Sequence, residues 1–183
     1  MTTATLRIAH TDQLLPEQVE AISALCEAAF SEPWAGAWER IGPGVHVIAE
    51  AEGRPIAHAM VIDRRLYLGH EPDQALDAGY VEWVASHPDA QGQGHGTAVM
   101  REIGRIIRDE YALGALGTSS NRFYEALGWE TWRGPTSVRM PDGQRVRSAA
   151  EDGHVMILRT PRTEPELDLG GPIAVDWRAG EPW

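Results

Sequence analysis

Gln91-Gly92-Gln93-Gly94-His95-Gly96 is the stretch that decides the fold predicted for this chain. A strand pattern ends just before it, near Ser86, and an amphipathic helix pattern begins within it, near Gly94. Glycine lets a backbone approach an anion closely, and the first N–H groups of a helix point outward with the positive end of the helix dipole. The stretch therefore predicts a loop that binds a pyrophosphate.

The spacing of the glycines separates this loop from two other phosphate loops. It matches neither the Gly-x-x-x-x-Gly-Lys-Ser/Thr loop of NTP-hydrolysing proteins nor the Gly-x-Gly-x-x-Gly loop of dinucleotide-binding proteins. It resembles the Gln/Arg-x-x-Gly-x-Gly/Ala loop of the GNAT superfamily, which holds the pyrophosphate of coenzyme A. The resemblance implies acetyl-CoA as the cofactor. It also implies a coenzyme site made of the strand end and the loop: Val84, Ser86, Gln91, Gly92, Gln93, Gly94, His95 and Gly96.

A second motif follows about thirty residues later, over residues 120–129. It resembles the Asn-x-x-Tyr-x-x-x-Gly-Phe/Trp segment of GNAT enzymes, and the resemblance implies that Asn121 lies beside the pantetheine arm of the coenzyme. It also implies that Tyr124 aims its hydroxyl at the leaving sulfur. A phenol with a pKa of ~10 can donate a proton to a departing thiolate as a general acid. The alternative is that Tyr124 is an ordinary packing residue of a short helix.

Glu82 is the candidate for the general base. It lies within an apolar strand pattern, and strand alternation predicts that it shares a face with Tyr80 and Val84. A carboxylate among apolar residues is costly unless it is paired or hydrated, which favours a functional role. An ammonium substrate must lose a proton before its nitrogen can attack a thioester, and Glu82 could accept that proton directly or through water. The alternative is a carboxylate at a sheet edge that faces solvent.

The order of predicted elements is strand, helix, strands, helix, strand, helix, strands, which indicates an α+β fold with a mixed sheet. The predicted strands are Leu6–His10, Val45–Glu50, Pro55–Leu68, Ala78–Ser86, Leu113–Leu116, Trp129–Trp132, Ser137–Met140 and His154–Leu158. The predicted helices are 16–30, 94–111 and 121–127, with a further turn inside 34–40, and Glu52-Gly53 predicts a hairpin between the second and third strands. With the two motifs, this order predicts the GNAT fold, a mixed and mostly antiparallel central sheet flanked by helices. We expect one domain over residues 1–183, in which residues 160–183 form a C-terminal extension that contributes to the substrate site.

Several further segments closely resemble the aminoglycoside 2′-N-acetyltransferases. They span nearly the whole chain: residues 56–59, 64–66, 79–82, 111–116, 134–138, 152–153 and 176–183. The last of them, Asp-Trp-Arg-Ala-Gly-Glu-Pro-Trp, is the most discriminating because it is not a general GNAT feature.

This closer resemblance implies acetylation of the 2′-amine of an aminoglycoside, a cationic antibiotic, and hence resistance to it. It implies that Glu82 acts as the base through water and that Tyr124 acts as the acid. Asp152 and Glu181 would bind substrate amines, and Trp183 would bring its own α-carboxylate into the site. Several carboxylates suit a polycationic sugar. The resemblance also implies a homodimer.

The chain departs from that family at three places. Trp83 stands where the family has a small residue after the base, although strand alternation predicts that its side chain points away from Glu82. The segment that corresponds to a Ser-rich stretch is shorter, so Thr118 and Ser119 are both candidates for substrate contact. The loop after the first helix is poor in acidic residues, and its predicted substrate-binding residues are Glu32, Trp34 and Trp38. These changes favour a smaller, less charged substrate, such as kasugamycin, over the larger aminoglycosides.

The composition agrees with a cationic ligand and excludes other classes. The chain has 27 acidic and 16 basic residues, a formal net charge of −11, and no basic footprint for nucleic acid. An acidic field attracts cations, although it could serve solubility alone. No signal peptide or run of ~20 apolar residues is present, and Cys26 is the single cysteine, so we expect a cytoplasmic protein that does not bind membranes. No histidine pair has the spacing of a helical metal site, so we expect no metal.

Two other functions compete with this interpretation. One is a GNAT enzyme that acetylates a different amine, such as a peptide N-terminus or a polyamine. The other is a non-catalytic acyl-CoA-binding module, which the presence of both Glu82 and Tyr124 disfavours.

Overall fold

The computed structural model describes residues 4–34, 36–70 and 73–183. The helices are α1 Pro16–Phe30, α2 Ala37–Ile41, α3 His95–Glu110 and α4 Asn121–Glu125. The strands are β1 Thr5–His10, β2 Val45–Ala51, β3 Arg54–Leu68, β4 Gln74–Ser86, β5 Leu113–Gly117, β6 Glu130–Thr131, β7 Thr136–Arg139, β8 Arg145–Arg147, β9 Val155–Arg159 and β10 Ile173–Asp176. None of the helices in these described ranges is both long enough and apolar enough to cross a membrane.

The chain divides into two compact units. The first unit comprises Met1–Ile62 and Val81–Arg105, and the second comprises Asp63–Tyr80 and Ile106–Trp183. The chain passes from one unit to the other within β3, within α3 and between Tyr80 and Val81 of β4. Each candidate site residue can therefore be assigned to one of the two units.

The first unit carries an antiparallel β1–β2–β3 meander. Ile8 of β1 pairs with Val47 of β2, and β2 pairs in turn with β3. The β2–β3 turn is formed by Glu52 and Gly53, both with positive φ (52° and 73°). Two central residues with positive φ suit a two-residue hairpin, because such a turn matches the twist of the strands. The hairpin predicted at these residues is thus confirmed.

Helix α1 belongs to the same unit and buries one side of its surface. Ile22, Leu25 and Cys26 are buried, as their helical spacing predicts. The helix ends at Ser31, which has left-handed φ and ψ angles and donates its N–H to the carbonyl of Glu27.

The second unit contains strand segments in the order β6-β9-β5-β4-β3-β10-β7-β8. The β4–β5 and β10–β7 pairs are parallel, whereas β5–β9, β6–β9, β10–β3 and β7–β8 are antiparallel. The sheet is therefore mixed and mostly antiparallel, which confirms the predicted α+β class.

The sequence missed two strands and shortened a third. β8 and β10 were not predicted, and β4 begins at Gln74 instead of Ala78. β10 lies inside the predicted C-terminal extension. It is only four residues long, and it is stabilised by pairing with β7 and β3, which are distant in sequence. Such pairing leaves no local signal that a pattern of alternating residues could reveal.

Candidate active site

The phosphate loop lies in the first unit and ends at the N-terminus of α3. Gly92 and Gly94 have φ angles of 72° and 85°, which an L side chain rarely adopts, and a Cβ at either position would meet open space. Backbone conformation, and not crowding, is therefore what requires glycine there. The carbonyl of Gly94 accepts the N–H of Ala98 at 2.9 Å, so Gly94 is the last residue before the helix and His95 the first within it.

Glutamine side chains tie this loop to the chain that precedes it. Gln91 Nε2 lies 3.4 Å from the carbonyl oxygen of Ser86, and Gln93 Nε2 donates to the carbonyl oxygen of Asp89 at 3.2 Å. Gln91, Gly92, Gln93 and Gly94 are exposed, while His95 and Gly96 are half-buried in the first turn of the helix. A left-handed glycine loop at the start of a 16-residue helix has the N–H groups and the dipole that a pyrophosphate needs. The residues present therefore fit the coenzyme.

Strand β4 has an irregular backbone next to the candidate base. Glu82 is half-buried, as are Val84 and Ser86, whereas Trp83 is buried and has a φ of 55°. A left-handed conformation is a genuine outlier for so bulky a residue. Trp83 was expected to point away from Glu82 in an ideal strand. Its positive φ departs from ideal strand geometry, while burial still alternates along residues 81–86.

The aromatic residues predicted after the first helix pack around Trp83. The Trp34 and Trp38 rings meet the Trp83 ring edge-on, with centroids 5.3 and 4.9 Å away, and Trp34 also stacks on Phe30 at 5.2 Å. Trp38 Nε1 donates to Ser23 Oγ at 2.8 Å. The three tryptophans named from the sequence thus form one cluster in the first unit. Glu32, from the same loop, is exposed.

A buried chain of polar side chains reaches Trp83 from the other strands of this unit. His58 Nδ1 lies 3.1 Å from the carbonyl oxygen of Trp83, His58 Nε2 lies 2.9 Å from His46 Nδ1, and His46 Nε2 lies 2.9 Å from Thr11 Oγ1. Both histidines are fully buried. The ring of Trp38 stacks on that of His46, with centroids 5.4 Å apart. His58 lies in a segment noted for its resemblance, residues 56–59, but no role was predicted for either histidine.

Burial lowers the pKa of both histidines. The pKa of His46 falls to about 4, first because of desolvation and then because of the nearby charges of Arg7 and His10. The pKa of His58 falls to about 3, again mainly through desolvation and also through His46, while its hydrogen bond to the Trp83 carbonyl opposes the shift. Both imidazoles are therefore neutral near pH 7.

Acidification is expected to destabilise the protein through these histidines. Their folded pKa values lie below the ordinary value of about 6.5, so between about pH 6.5 and 4 the unfolded chain binds more protons than the folded chain. The stabilisation is fully present above pH 6.5 and is lost as the pH falls, by up to about 1.4 kcal/mol per pH unit for each histidine. Urea unfolding of wild type and His58→Asn between pH 5 and 7.5 measures this slope.

The slope should be shallower in His58→Asn than in wild type, because one of the two shifted groups is gone. Replacement of the exposed His70 by asparagine is the control, and it should leave the slope unchanged. Equal slopes in wild type and His58→Asn would contradict the assignment of the acid sensitivity to this pair.

Tyr124 lies in the second unit, buried on the short helix α4. Burial raises the pKa of its phenol to about 12, and a hydrogen bond with the Thr118 side chain opposes part of that shift. Thr118 Oγ1 also accepts the backbone N–H of Ser120 at 2.9 Å. The phenol therefore keeps its proton at neutral pH, as a proton donor must. Ser119, the other candidate of this segment, is exposed.

Asn121 begins α4 and fixes it to neighbouring segments. Its Nδ2 donates to Thr131 Oγ1 at 3.0 Å and to the carbonyl oxygen of Gly153 at 2.8 Å. Both amide protons are thus used within the second unit, so the side chain orients the helix that carries Tyr124.

The carboxylate of Asp152 is engaged with its own neighbours. Oδ1 accepts the backbone N–H of Thr136 at 3.0 Å and Arg147 Nη1 at 2.9 Å, and Oδ2 pairs with Arg147 Nη2. The Arg147 guanidinium holds the pKa of this carboxyl well below its usual range, with help from the Thr136 backbone. The carboxylate predicted to bind substrate amines is thus paired with Arg147, and both side chains remain exposed.

The C-terminal segment is connected to Asp152 through two hydroxyl groups. Trp183 is buried, and its Nε1 donates to Ser148 Oγ at 3.0 Å. Ser148 Oγ lies 3.1 Å from Thr136 Oγ1, which lies 3.0 Å from Asp152 Oδ1. Trp183 and Asp152, both named from the sequence, therefore share one hydrogen-bonded network. Glu181 is exposed in the same segment.

Two further residues position the C-terminal segment. Arg64 donates from Nη1 to the carbonyl oxygen of Pro182 at 2.9 Å and from Nη2 to that of Asp176 at 2.7 Å. A Cβ on Gly117 would lie 3.3 Å from the Tyr80 hydroxyl oxygen and 3.4 Å from the main-chain carbonyl carbon of Trp183, so the chain end lies close to β5. Neither role was predicted from the sequence, although residues 64–66 carry part of the resemblance.

The chain resembles known proteins at the level of a family and of its fold. The family described as an acetyltransferase (GNAT) domain matches residues 11–132. A GNAT family N-acetyltransferase from Escherichia coli, solved in complex with CoA, has a TM-score of 0.66 and 15% identity, over 96% of this chain and 91% of that one. The ribosomal-protein-S18-alanine N-acetyltransferase from Escherichia coli has a TM-score of 0.55 and 20% identity, over 90% and 99%. At such identities, these two likenesses show the fold alone.

The phosphate loop, the fold and the family match together define the class. The chain belongs to the GNAT acetyltransferase family and is an acetyl-CoA-dependent N-acetyltransferase. It is 39% identical over 185 residues to an "Aminoglycoside 2'-N-acetyltransferase" from Mycolicibacterium fortuitum, which spans 98% of this chain and 92% of that protein.

Proposed function

We propose that this chain acetylates the 2′-amine of an aminoglycoside antibiotic with acetyl-CoA. The observation that carries the proposal is the 39% identity with the aminoglycoside 2′-N-acetyltransferase, because it covers 98% of the chain and so continues well beyond the GNAT match, which ends at residue 132. The fold alone would not suffice, since one of its structural neighbours acetylates a ribosomal protein. The proposal treats residues 1–183 as one functional domain, with residues 160–183 as part of the substrate site.

The residues of the chain divide the chemistry between a base and an acid. Acetyl-CoA supplies the thioester whose acetyl group is transferred. Glu82 takes a proton from the substrate ammonium, directly or through water, so that the neutral nitrogen can attack. Tyr124, protonated at neutral pH because its pKa is raised to about 12, donates to the sulfur as the C–S bond breaks. The glycine loop at α3 holds the pyrophosphate, with Val84 and Ser86 leading into it.

The proposed substrate residues come from three segments. Glu181 supplies a negative charge to a substrate amine, while Thr118 and Ser119 supply hydroxyl groups. The indole of Trp183 anchors the C-terminal segment through Ser148. Because Arg147 offsets the charge of Asp152, we assign Asp152 the task of holding this network and a weaker direct attraction for amines.

The pocket is proposed to be narrowed to a compact aminoglycoside such as kasugamycin. Three of the residues that the sequence associates with substrate binding are tryptophans, and Trp34 and Trp38 both meet the Trp83 ring edge-on. Glu32 is the acidic residue of that loop named from the sequence, and Asp152 is paired with an arginine. A site with more aromatic surface and less free negative charge favours a smaller and less charged sugar.

The experiment is an assay of thiol release from acetyl-CoA with kasugamycin and with kanamycin A and B. Kanamycin B carries a 2′-amine and kanamycin A a 2′-hydroxyl, so the pair tests which position reacts. Turnover of kasugamycin alone is the expected result. Turnover of kanamycin B but not A would keep the 2′-acetyltransferase assignment and contradict the narrowed pocket. No turnover of any of the three would overturn the antibiotic assignment.

The proposed biological role is resistance, since acetylation removes a positive charge from the antibiotic. The proposal includes a cytoplasmic location, where acetyl-CoA is available. Expression in a sensitive host should raise the inhibitory concentration of kasugamycin, and Tyr124→Phe should not. Equal protection by both proteins would contradict an enzymatic origin of the resistance.

Replacement of Arg64 by methionine is expected to raise KM for the aminoglycoside about tenfold. The change removes two charge-assisted hydrogen bonds that hold the C-terminal segment, while keeping an unbranched side chain. Values of kcat and of KM for acetyl-CoA should change little. Arg65→Met is the matched control, since Arg65 pairs with Asp77 on the surface and should leave all three constants unchanged. An equal effect of both variants would contradict a specific role for Arg64.

A further inference from the structure

Trp83 adopts a conformation that its own residue type disfavours. A left-handed φ is unfavourable for a non-glycine residue and persists only where the surrounding structure imposes it. Trp83 has a φ of 55° within β4 and directly follows Glu82, the proposed base. Any relaxation of Trp83 would therefore be transmitted through one peptide bond to the carboxylate that removes the proton.

The surroundings hold Trp83 at its main chain and at its side chain. Its carbonyl oxygen lies 3.1 Å from His58 Nδ1. Its ring makes edge contacts with the rings of Trp34 and Trp38, and Trp38 itself stacks on His46. His58 and His46 thus hold the main chain of Trp83, and Trp34 and Trp38 hold its side chain.

One proton arrangement satisfies the whole polar chain when both imidazoles are neutral. A carbonyl oxygen only accepts, so His58 carries its hydrogen on Nδ1 and accepts at Nε2. His46 must then donate from Nδ1 and accept at Nε2, where Thr11 Oγ1 donates its single hydrogen. The Gly44 carbonyl oxygen, 3.1 Å from the same hydroxyl, still accepts the backbone N–H of Thr11. Burial of both rings and the nearby Arg7 and His10 favour this neutral state.

The chain ends on a carbonyl oxygen, which cannot pass a proton onward to Glu82. The polar chain therefore does not transfer protons. It orients the Trp83 peptide group instead. A fully satisfied polar chain in a low-dielectric interior is rigid, because each lost bond would leave a buried polar group without a partner.

We propose that His58, oriented by His46, is a positioning residue that holds the Trp83 peptide group in its left-handed conformation and so sets the position of the Glu82 carboxylate. This inference rests on the proposed function where it takes Glu82 as the base. It predicts that the hydrogen bond to the Trp83 carbonyl, and not merely the packing of His58, is required for a normal kcat.

The test compares two variants of His58 in the full chain. His58→Asn keeps a donor, since the amide nitrogen of asparagine lies as many bonds from the backbone as Nδ1 of histidine. His58→Leu fills similar space and removes the donor. We expect His58→Leu to lower kcat about 10- to 100-fold with KM for acetyl-CoA little changed, because a displacement of about 1 Å at a reacting group costs this much. His58→Asn should recover most of kcat.

Thermal melting of each variant separates positioning from stability. A recovered kcat in His58→Asn at a melting temperature as low as that of His58→Leu supports the inference. Wild-type kcat in folded His58→Leu overturns it. Equal losses of kcat in both variants, in step with the loss of stability, also overturn it, since packing alone would then explain the effect.

Hydrogen exchange at the backbone amides of residues 82–84 gives a readout that does not depend on the reaction. Faster exchange in His58→Leu than in His58→Asn supports the positioning role, and equal exchange overturns it. Glu82→Gln, assayed alongside, tests the base assignment by itself. If Glu82→Gln is fully active while the exchange difference is present, the proposed function of Glu82 fails and the hold on Trp83 stands.

Discussion

Replacement of Tyr124 by phenylalanine is expected to lower kcat about 10²- to 10³-fold, with KM for acetyl-CoA nearly unchanged. The change removes one oxygen atom from a buried ring on α4, so binding surfaces are preserved while the proton donor is lost. Without that donor, the sulfur must leave as an unprotonated thiolate. Steady-state measurement of thiol release at saturating acetyl-CoA gives the result.

The pH dependence of wild type sharpens this prediction. Burial raises the pKa of the Tyr124 phenol to about 12, so the acid should stay protonated across the range in which the enzyme is stable. No alkaline loss of kcat is therefore expected from this group below about pH 10. A loss near pH 8 would assign the acid to another group.

Tyr111→Phe is the matched control. Tyr111 directly follows the C-terminus of α3, and its hydroxyl group donates a hydrogen bond to Asp63 Oδ1 at 2.7 Å. It has no proposed part in catalysis. Its removal should cost about 1 kcal/mol of stability and leave kcat unchanged. If Tyr124→Phe behaves like Tyr111→Phe, Tyr124 is a packing residue, the alternative that its sequence context left open.

Replacement of Glu82 by glutamine is expected to lower kcat/KM about 10²- to 10³-fold at pH 7. Glutamine keeps the size of the side chain and removes its ability to accept a proton. The loss should shrink as the pH rises toward and beyond the pKa of the substrate amine, because the amine then arrives without the proton that Glu82 would remove. A profile of kcat/KM against pH for both proteins measures this convergence.

The control for Glu82→Gln is Glu20→Gln, an exposed glutamate on α1, whose replacement should change neither rate nor profile. A loss at Glu82 that is constant at every pH would contradict its role as a base, because a missing base matters less when the substrate is already deprotonated.

The two coenzyme motifs could be found in the sequence because each depends on neighbouring residues. Gly92 and Gly94 need only the adjacent strand and helix to create their loop, and the structure has both glycines at positive φ. The order of elements and the hairpin at Glu52-Gly53 were equally local. The mixed sheet follows from that order with the motifs, and it was confirmed.

The tertiary structure alone decided the features that join distant residues. His46 and His58 lie on separate strands and have the sequence pattern of ordinary strand residues. Only the pairing of β2 with β3 brings their rings together and places His58 next to the Trp83 carbonyl oxygen. The sequence does not show that the carboxylate of Asp152, predicted to bind substrate amines, forms an ion pair with Arg147 across a turn. Both cases have one physical reason: local spacing determines backbone conformation, whereas burial, hydrogen-bond partners and protonation depend on which residues the fold brings together.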